Sequence, residues 1–173
     1  MISIYRGWLL DTNVVSELRR PRPDKRVLAF VAGQPAALLY LSTVTLAEIR
    51  YGIERLADPE RRRDIAAWLD RTLRPLFAGR TLGLDEDVIL RWRQLLESGR
   101  NRGHTFSQPD LFIASIGALE CLVVVSRNTR EFVAAGVAAL DPWTGEFVAG
   151  GDRRSVLTQL ADAGLLATLS FRP

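Results

Sequence analysis

Residues 110–132, DLFIASIGALECLVVVSRNTREF, contain the pattern that decides the fold. Apolar side chains recur at helical spacing over residues 109–119, and residues 121–126 (CLVVVS) then form a short apolar run rich in β-branched residues. A run that is apolar at consecutive positions is typical of a strand whose sheet is covered on both faces. This stretch therefore predicts a helix followed by a buried strand, in which Cys121 is expected to be a small core residue.

The same alternation of apolar runs and helical patterns extends through most of the chain. Four further strands are predicted at residues 8–10, 38–41, 80–84 and 137–140, and four further helices at residues 24–33, 43–56, 60–74 and 86–98. Strands that alternate with helices are joined by right-handed crossovers and form a mainly parallel sheet. We therefore predict an α/β fold in which a parallel β-sheet of about five strands is sandwiched by α-helices.

Composition limits the chemistry that the chain can support. Hydrophobic residues make up 47% and charged residues 25% of the 173 residues, which suits one globular domain. The single Cys and single His leave no disulfide framework and no His or Cys cluster for zinc. We expect a cytoplasmic protein that does not interact with membranes, because the sequence shows neither a membrane-length apolar run nor a signal peptide.

A Gly-rich break at residues 149–152 (AGGD) divides the chain into two predicted parts. Residues 1–149 are predicted to form the α/β domain. Residues 150–173 are a predicted C-terminal extension with one short amphipathic pattern, which fits a short helix. Its apolar positions are Val156, Leu157, Leu160, Leu165 and Leu166.

Four polar side chains fall where α/β proteins bind ligands, at the carboxyl ends of strands. Asp11 and Asn128 directly follow predicted strands, and Glu48 and Asp110 lie in the first turns of predicted helices. Carboxylates held close together repel one another unless a cation lies between them. Oxygen ligands suit Mg²⁺ or Mn²⁺, and such an ion would support phosphodiester hydrolysis.

A structural alternative exists for each of these residues, because acids and Asn are common where helices begin. Three spacings fit a helix capping box: Thr45-x-x-Glu48, Ser107-x-x-Asp110 and Asn128-x-x-Glu131. Asp11 could cap the helix that follows it. The sequence leaves both interpretations open.

With these residues in view, the chain resembles the PIN-domain nucleases. Within that family it is similar to the VapC-like toxins of bacterial type II toxin–antitoxin systems, and to their Fit-type group in particular. The segments that carry the resemblance are LLDTNVVSEL (9–18), LSTVTLAEIRYGI (41–53), DLFIASIGALE (110–120), VVSRNTREF (124–132) and ALDPW (139–143). Their order along the chain, rather than any one of them, makes the resemblance specific.

The resemblance implies a PIN-like fold and an endoribonuclease whose Asp11, Glu48 and Asp110 bind Mg²⁺ or Mn²⁺. Asn128 stands where the family often has a fourth acidic residue, and it would ligate or orient water through its amide oxygen. The neighbouring polar residues would bind the carboxylates or the RNA substrate: Thr12, Asn13, Ser126 and Arg127. The family also implies homodimers and neutralisation by a small antitoxin protein.

Two alternatives to a nuclease remain at the level of sequence. A catalytically silent PIN-like module that binds RNA or a protein is kept open by Asn128. A haloacid-dehalogenase-like phosphatase would need a second Asp at the position that Asn13 occupies. Basic residues that could guide RNA cluster at residues 91–104 and 19–26, although either cluster could also be a solvated surface. Arg61, Arg62 and Arg63 are expected to form a solvated helix start.

Overall fold

A seven-stranded sheet runs through the centre of the protein. The structure, a computed structural model, describes residues 5–149 and 153–156. Its strands are β1 (Gly7–Leu10), β2 (Leu39–Ser42), β3 (Thr81–Leu82), β4 (Leu122–Val125), β5 (Ala139–Asp141), β6 (Glu146–Ala149) and β7 (Arg153–Val156). They lie in the order β3-β2-β1-β4-β5-β6-β7. The first five pair in parallel, and β6 and β7 add an antiparallel edge.

Helices connect the parallel strands and cover both faces of the sheet. They are α1 (Thr12–Leu18), α2 (Lys25–Ala32), α3 (Thr43–Glu54), α4 (Pro59–Trp68), α5 (Arg74–Leu76), α6 (Glu86–Asn101), α7 (Gln108–Leu119) and α8 (Thr129–Ala134). A π-helical turn, Leu69–Leu73, joins α4 to α5. Of the helices that the structure describes, none has both the length and the apolar content to cross a membrane.

The strand β4 shows why the sheet needs helices on both sides. Val123 and Val125 pack into the core layer formed with α1 to α4. Leu122 and Val124 pack into the opposite layer, formed with α6 to α8. All four side chains are at most 1% exposed. The consecutive apolar run therefore predicted the buried strand correctly, and the predicted α/β fold is confirmed.

Several features differ from the sequence prediction. Cys121 is exposed and lies in a turn with φ 52°, so it is not a core residue. The fifth strand begins two residues later than predicted. The strands β6 and β7 were missed, because a short edge hairpin depends on pairing with β5 rather than on a long apolar run.

The turn between β5 and β6 is held by local contacts. Gly145 adopts φ 78° and donates its N–H to the Asp141 carbonyl at 2.8 Å, and the Asp141 carboxylate accepts from the Trp143 N–H at 2.8 Å. Residues 153–156 pair with β6, so the start of the predicted helical pattern is a strand and not a helix. The rest of that pattern, residues 157–173, lies outside the described residues.

Candidate active site

Asp11 and Ser126 of the candidate site directly follow the neighbouring strands β1 and β4, and Glu48 lies on the helix that follows β2. β1 lies between β2 and β4, and the chain enters α1 at Asp11 and α3 at Thr43. The Asp11 N–H donates to the Val125 carbonyl at 3.0 Å, which continues the pairing of β1 with β4. The topology therefore brings the segment after β1 against the segment after β4.

Asp11 is held by three hydrogen bonds in a buried position, where its residue is 4% exposed. The Thr12 N–H donates to Oδ1 at 2.7 Å, and Asn13 Nδ2 and Ser126 Oγ donate to Oδ2 at 2.7 Å and 2.6 Å. Burial raises the pKa of Asp11, and the bonds from Ser126, Thr12 and Asn13 oppose that rise. A charge placed this way is costly unless donors or a cation compensate for it. Asp11 also caps α1, as the structural alternative predicted, and its role as a metal ligand stays a prediction.

Asn13 and Ser126 connect the segment that follows β1 to the segment that follows β4. Asn13 Nδ2 also donates to Ser126 Oγ at 2.9 Å, and Asn13 Oδ1 accepts from the Arg127 N–H at 3.1 Å. Ser126 Oγ accepts a further bond from the Asn128 N–H at 3.0 Å. The hydrogen bonds of these two side chains position Asp11 and the loop after β4. Their predicted contact with RNA stays a prediction.

The side chains of Arg127 and Asn128 form no hydrogen bonds with this network. The Arg127 guanidinium lies 5.4 Å from the centre of the Trp143 ring, in a cation–π contact. The Asn128 residue is exposed, and its side chain forms no hydrogen bond to any residue within the described ranges. The contacts of these two residues with the network are made by their backbone N–H groups, and the predicted roles of their side chains at the site stay predictions. A capping box at Asn128 and Glu131 is also wrong, because Asn128 makes no side-chain cap bond with the described helix start.

The Glu48 side chain is hydrogen-bonded to α1 and does not cap its own helix. The Thr12 hydroxyl donates to Glu48 Oε2, which links α1 to α3. The cap of α3 is Ser42, whose Oγ accepts from the Thr45 N–H at 2.9 Å, so the capping box predicted at Thr45 is wrong. Burial raises the pKa of Glu48, the Thr12 bond lowers it, and the charge of Asp11 raises it further.

Asp110 carries the strongest electrostatic signal of the site. Its pKa is raised to about 6, mainly by burial and further by the charges of Asp11, Glu48 and Glu131. Ser107 begins α7 without a side-chain cap bond to the described residues, so the capping box predicted there is also wrong. Asp110 therefore lies within the field of three other carboxylates.

Glu131 is an acid that the sequence analysis named only as part of a possible capping box with Asn128. It is partly buried, raises the pKa of Asp110, and lies 3.5 Å from His104 Nε2. Its spacing of three residues after Asn128 was the available signal. The structure thus places a fourth carboxylate near Asp110, supplied by α8 rather than by the strand end.

The carboxylate oxygens of the four acids are suitable ligands for a hard divalent cation such as Mg²⁺. A cation bound between them would relieve their mutual repulsion. Across the part of the chain that the structure describes, no three Asp, Glu, His or Cys side chains converge in metal-binding geometry. A cation here would therefore draw part of its coordination from water or from a phosphate. That preference is characteristic of Mg²⁺, which keeps several waters in protein sites.

The basic stretch at residues 91–104 is used in part by the fold. Arg93 pairs with Glu97 at 3.5 Å, and Arg102 donates to the Ala134 carbonyl at 3.0 Å. These contacts hold α6 to itself and to α8. They leave the proposed guidance of RNA by this stretch a prediction.

The family model described as PIN domain matches residues 8–137. The protein named Toxin FitB from Neisseria gonorrhoeae is 37% identical over 135 residues, which cover 78% of this chain and 97% of that protein. The VapC ribonuclease Y4jK of Sinorhizobium fredii is 35% identical, with 78% of this chain and 96% of that protein covered. The crystal structure of FitAcB from Neisseria gonorrhoeae superposes with a TM-score of 0.75 at 37% identity, covering 79% of this chain and 98% of that one.

The matched residues contain nearly all of β1, the strands β2 to β4, the helices between them and all four acids of the site. A family model over most of the domain, relatives matched over nearly their whole length, and a shared fold agree with one another. This chain therefore belongs to the PIN domain family.

Proposed function

We propose that this chain is a metal-dependent endoribonuclease and the toxin of a type II toxin–antitoxin system. The observation that carries the proposal is the electrostatic coupling of Asp110 to Asp11, Glu48 and Glu131 at the carboxyl edge of the sheet. A group of acids that raise one another's pKa favours a bound divalent cation. The relatives named Toxin FitB and VapC ribonuclease support the choice of activity and biological role.

The residues of the chain have distinct parts in the proposed reaction. Asp11 and Asp110 would hold Mg²⁺ or Mn²⁺, and Glu48 would hold it directly or through water. Such an ion would polarise the phosphodiester and lower the pKa of a water molecule for hydrolysis. Thr12 orients both Asp11 and Glu48, because its N–H donates to Asp11 and its hydroxyl donates to Glu48. Single-stranded or loop RNA is the proposed substrate.

The same proposal includes partners and a location. One solved structure that this chain resembles, with a TM-score of 0.74 at 35% identity, is described as FitAB bound to an IR36 DNA fragment. We propose that this chain also binds a small antitoxin protein and that it forms a homodimer. Its RNA substrate would place its action in the cytoplasm.

Asp11→Asn tests the activity directly. The variant keeps the size of the side chain and some of its hydrogen bonds but removes the buried charge, so Mg²⁺-dependent cleavage of single-stranded RNA should be lost. Asp64→Asn is the matched control, because Asp64 is exposed on α4. Circular dichroism should show the same fold for both variants. Cleavage by Asp11→Asn at the wild-type rate would show that Asp11 is not required for the reaction and would contradict the proposal.

A catalytically silent module that binds RNA or a protein is the second candidate, favoured by the exposed Asn128 in place of a fourth strand-end acid. Calorimetry with Mn²⁺ separates the two. If the chain is a nuclease, titration with Mn²⁺ should give a heat of binding, and the Asp110→Ala variant should not show that heat. A silent module should show no heat that depends on Asp110.

A further inference from the structure

A cavity of about 410 Å³ opens beside the acids, between α1, α3 and α4. Thr12 and Glu48 form the part of its wall that it shares with the candidate active site. The rest of the wall combines basic side chains with an apolar floor: Arg19, Arg20 and Arg61 with Ile53, Ile65 and Trp68. The mechanism proposed above makes no use of this cavity.

Two of the three guanidinium groups in the cavity are not neutralised. Arg20 pairs with the buried Glu17 at 3.0 Å. Neither Arg19 nor Arg61 has a carboxylate partner among the described residues. The Arg19 guanidinium instead lies 5.6 Å from the centre of the Trp68 ring, and its buried Nε–H has no acceptor within the described part of the chain. A buried donor without an acceptor is costly.

We propose that this cavity binds the RNA strand next to the bond that is cut, with Arg19 and Arg61 on a phosphate and the apolar floor under a ribose or base. The inference rests on the proposed function and extends it to a second subsite. Arginine suits this role because its planar group forms paired, charge-assisted hydrogen bonds to phosphate oxygens. The shared wall at Glu48 means that a strand leaving the acids would enter the cavity directly.

Charge balance favours a polyanion over other occupants. The acids at one end of the site repel a phosphate backbone, and the two unpaired arginines beside them offset that repulsion. Trp68 and the neighbouring aliphatic side chains would exclude water around the contact and strengthen it. An acidic peptide would meet some of the same requirements, and the experiment below includes it as an outcome.

The main variant is Arg61→Gln, because Arg61 is exposed and its side chain forms no hydrogen bond or ion pair within residues 5–149. Its matched control is Arg63→Gln, which removes the same charge two residues away on α4, outside the cavity lining. Binding of a short fluorescein-labelled single-stranded RNA is measured by fluorescence anisotropy on the full chain in EDTA. We expect Arg61→Gln to weaken binding roughly tenfold, which corresponds to about 1.4 kcal/mol.

Salt dependence gives a second readout. Loss of one phosphate contact should lower the slope of log K against log salt by about 0.7 for a single strand. Arg63→Gln should change the affinity by less than about twofold, since Arg63 is exposed, pairs with Glu60 and lies outside the cavity lining. Arg19→Gln should match Arg61→Gln, and its thermal melt shows whether loss of the Trp68 contact unfolds the protein.

Cleavage by the wild-type chain separates the possible failures. If the wild type cleaves RNA while Arg61→Gln and folded Arg19→Gln bind it as well as Arg63→Gln does, the subsite is wrong and the proposed function stands. If the wild type neither binds nor cleaves RNA, both proposals fail. Displacement of the labelled RNA by oligoglutamate as effectively as by unlabelled RNA would assign the cavity to an acidic peptide and overturn the inference.

Discussion

Asp110→Asn should make the cation-free protein more stable at neutral pH. Burial and the charges of Asp11, Glu48 and Glu131 raise the pKa of Asp110 from 3.8 to about 6. Because the folded state then binds the proton more tightly than the unfolded state, protonation of Asp110 stabilises the fold fully below about pH 4. This contribution is lost as the pH rises through about 6.

The size of the effect follows from the same numbers. One pKa unit corresponds to about 1.4 kcal/mol, so the rise from 3.8 to about 6 sets an upper limit of about 3 kcal/mol. Asp110 is only partly buried, and solvent screening reduces that limit to about half. Loss of an acid from the first turn of α7 costs roughly 0.3–1 kcal/mol. We therefore expect a net gain of about 1 kcal/mol.

Urea unfolding in EDTA, near pH 7.5 and near pH 4, measures this gain. Near pH 4 the advantage of the variant over the wild type should largely disappear, because the wild-type carboxyl group is then protonated in the folded state. Asp87→Asn is the matched control: Asp87 is an exposed acid in the first turn of α6, so its loss should only destabilise. A variant of Asp110 that is less stable than the wild type near pH 7.5 would refute the electrostatic argument for the site.

Four further predictions test the site and the fold. Ser126→Ala should lower the free energy of unfolding by about 1–3 kcal/mol, because it removes a buried donor to Asp11 and leaves other polar groups unpaired; unchanged urea unfolding would contradict this. Asn128→Ala should leave both stability and RNA cleavage close to wild type, and a large loss of cleavage rate would show that its exposed amide takes part in the reaction. Gly7→Ala should cost about 2–3 kcal/mol in a thermal melt, because the added Cβ would overlap the Leu38 carbonyl at the start of β2. Mg²⁺ should raise the melting temperature of the wild type but not of Asp110→Asn, and equal shifts would place the ion elsewhere.

The sequence by itself determined the fold class and the neighbourhood of the site. β4 is apolar at consecutive positions because Val123 and Val125 face one core layer and Leu122 and Val124 face the other. The helices show their 3.6-residue period for the equivalent reason, since each has one buried face. These signals arise from neighbours along the chain, so they are visible without coordinates. The predicted ends of the strands β1 and β4 then indicate Asp11 and the segment that begins at Ser126 as the place of the site.

The tertiary structure alone decided which side chains meet. The bond between Ser126 and Asp11 joins residues 115 positions apart, and it depends on the placement of β4 beside β1. The same holds for the bond from Thr12 to Glu48 and for the charge of Glu131 at Asp110. The edge strands β6 and β7 likewise exist because β5 offers an unpaired edge. Local periodicity carries no information on strand order, and the long-range contacts that set burial, hydrogen bonding and pKa in this site depend on that order.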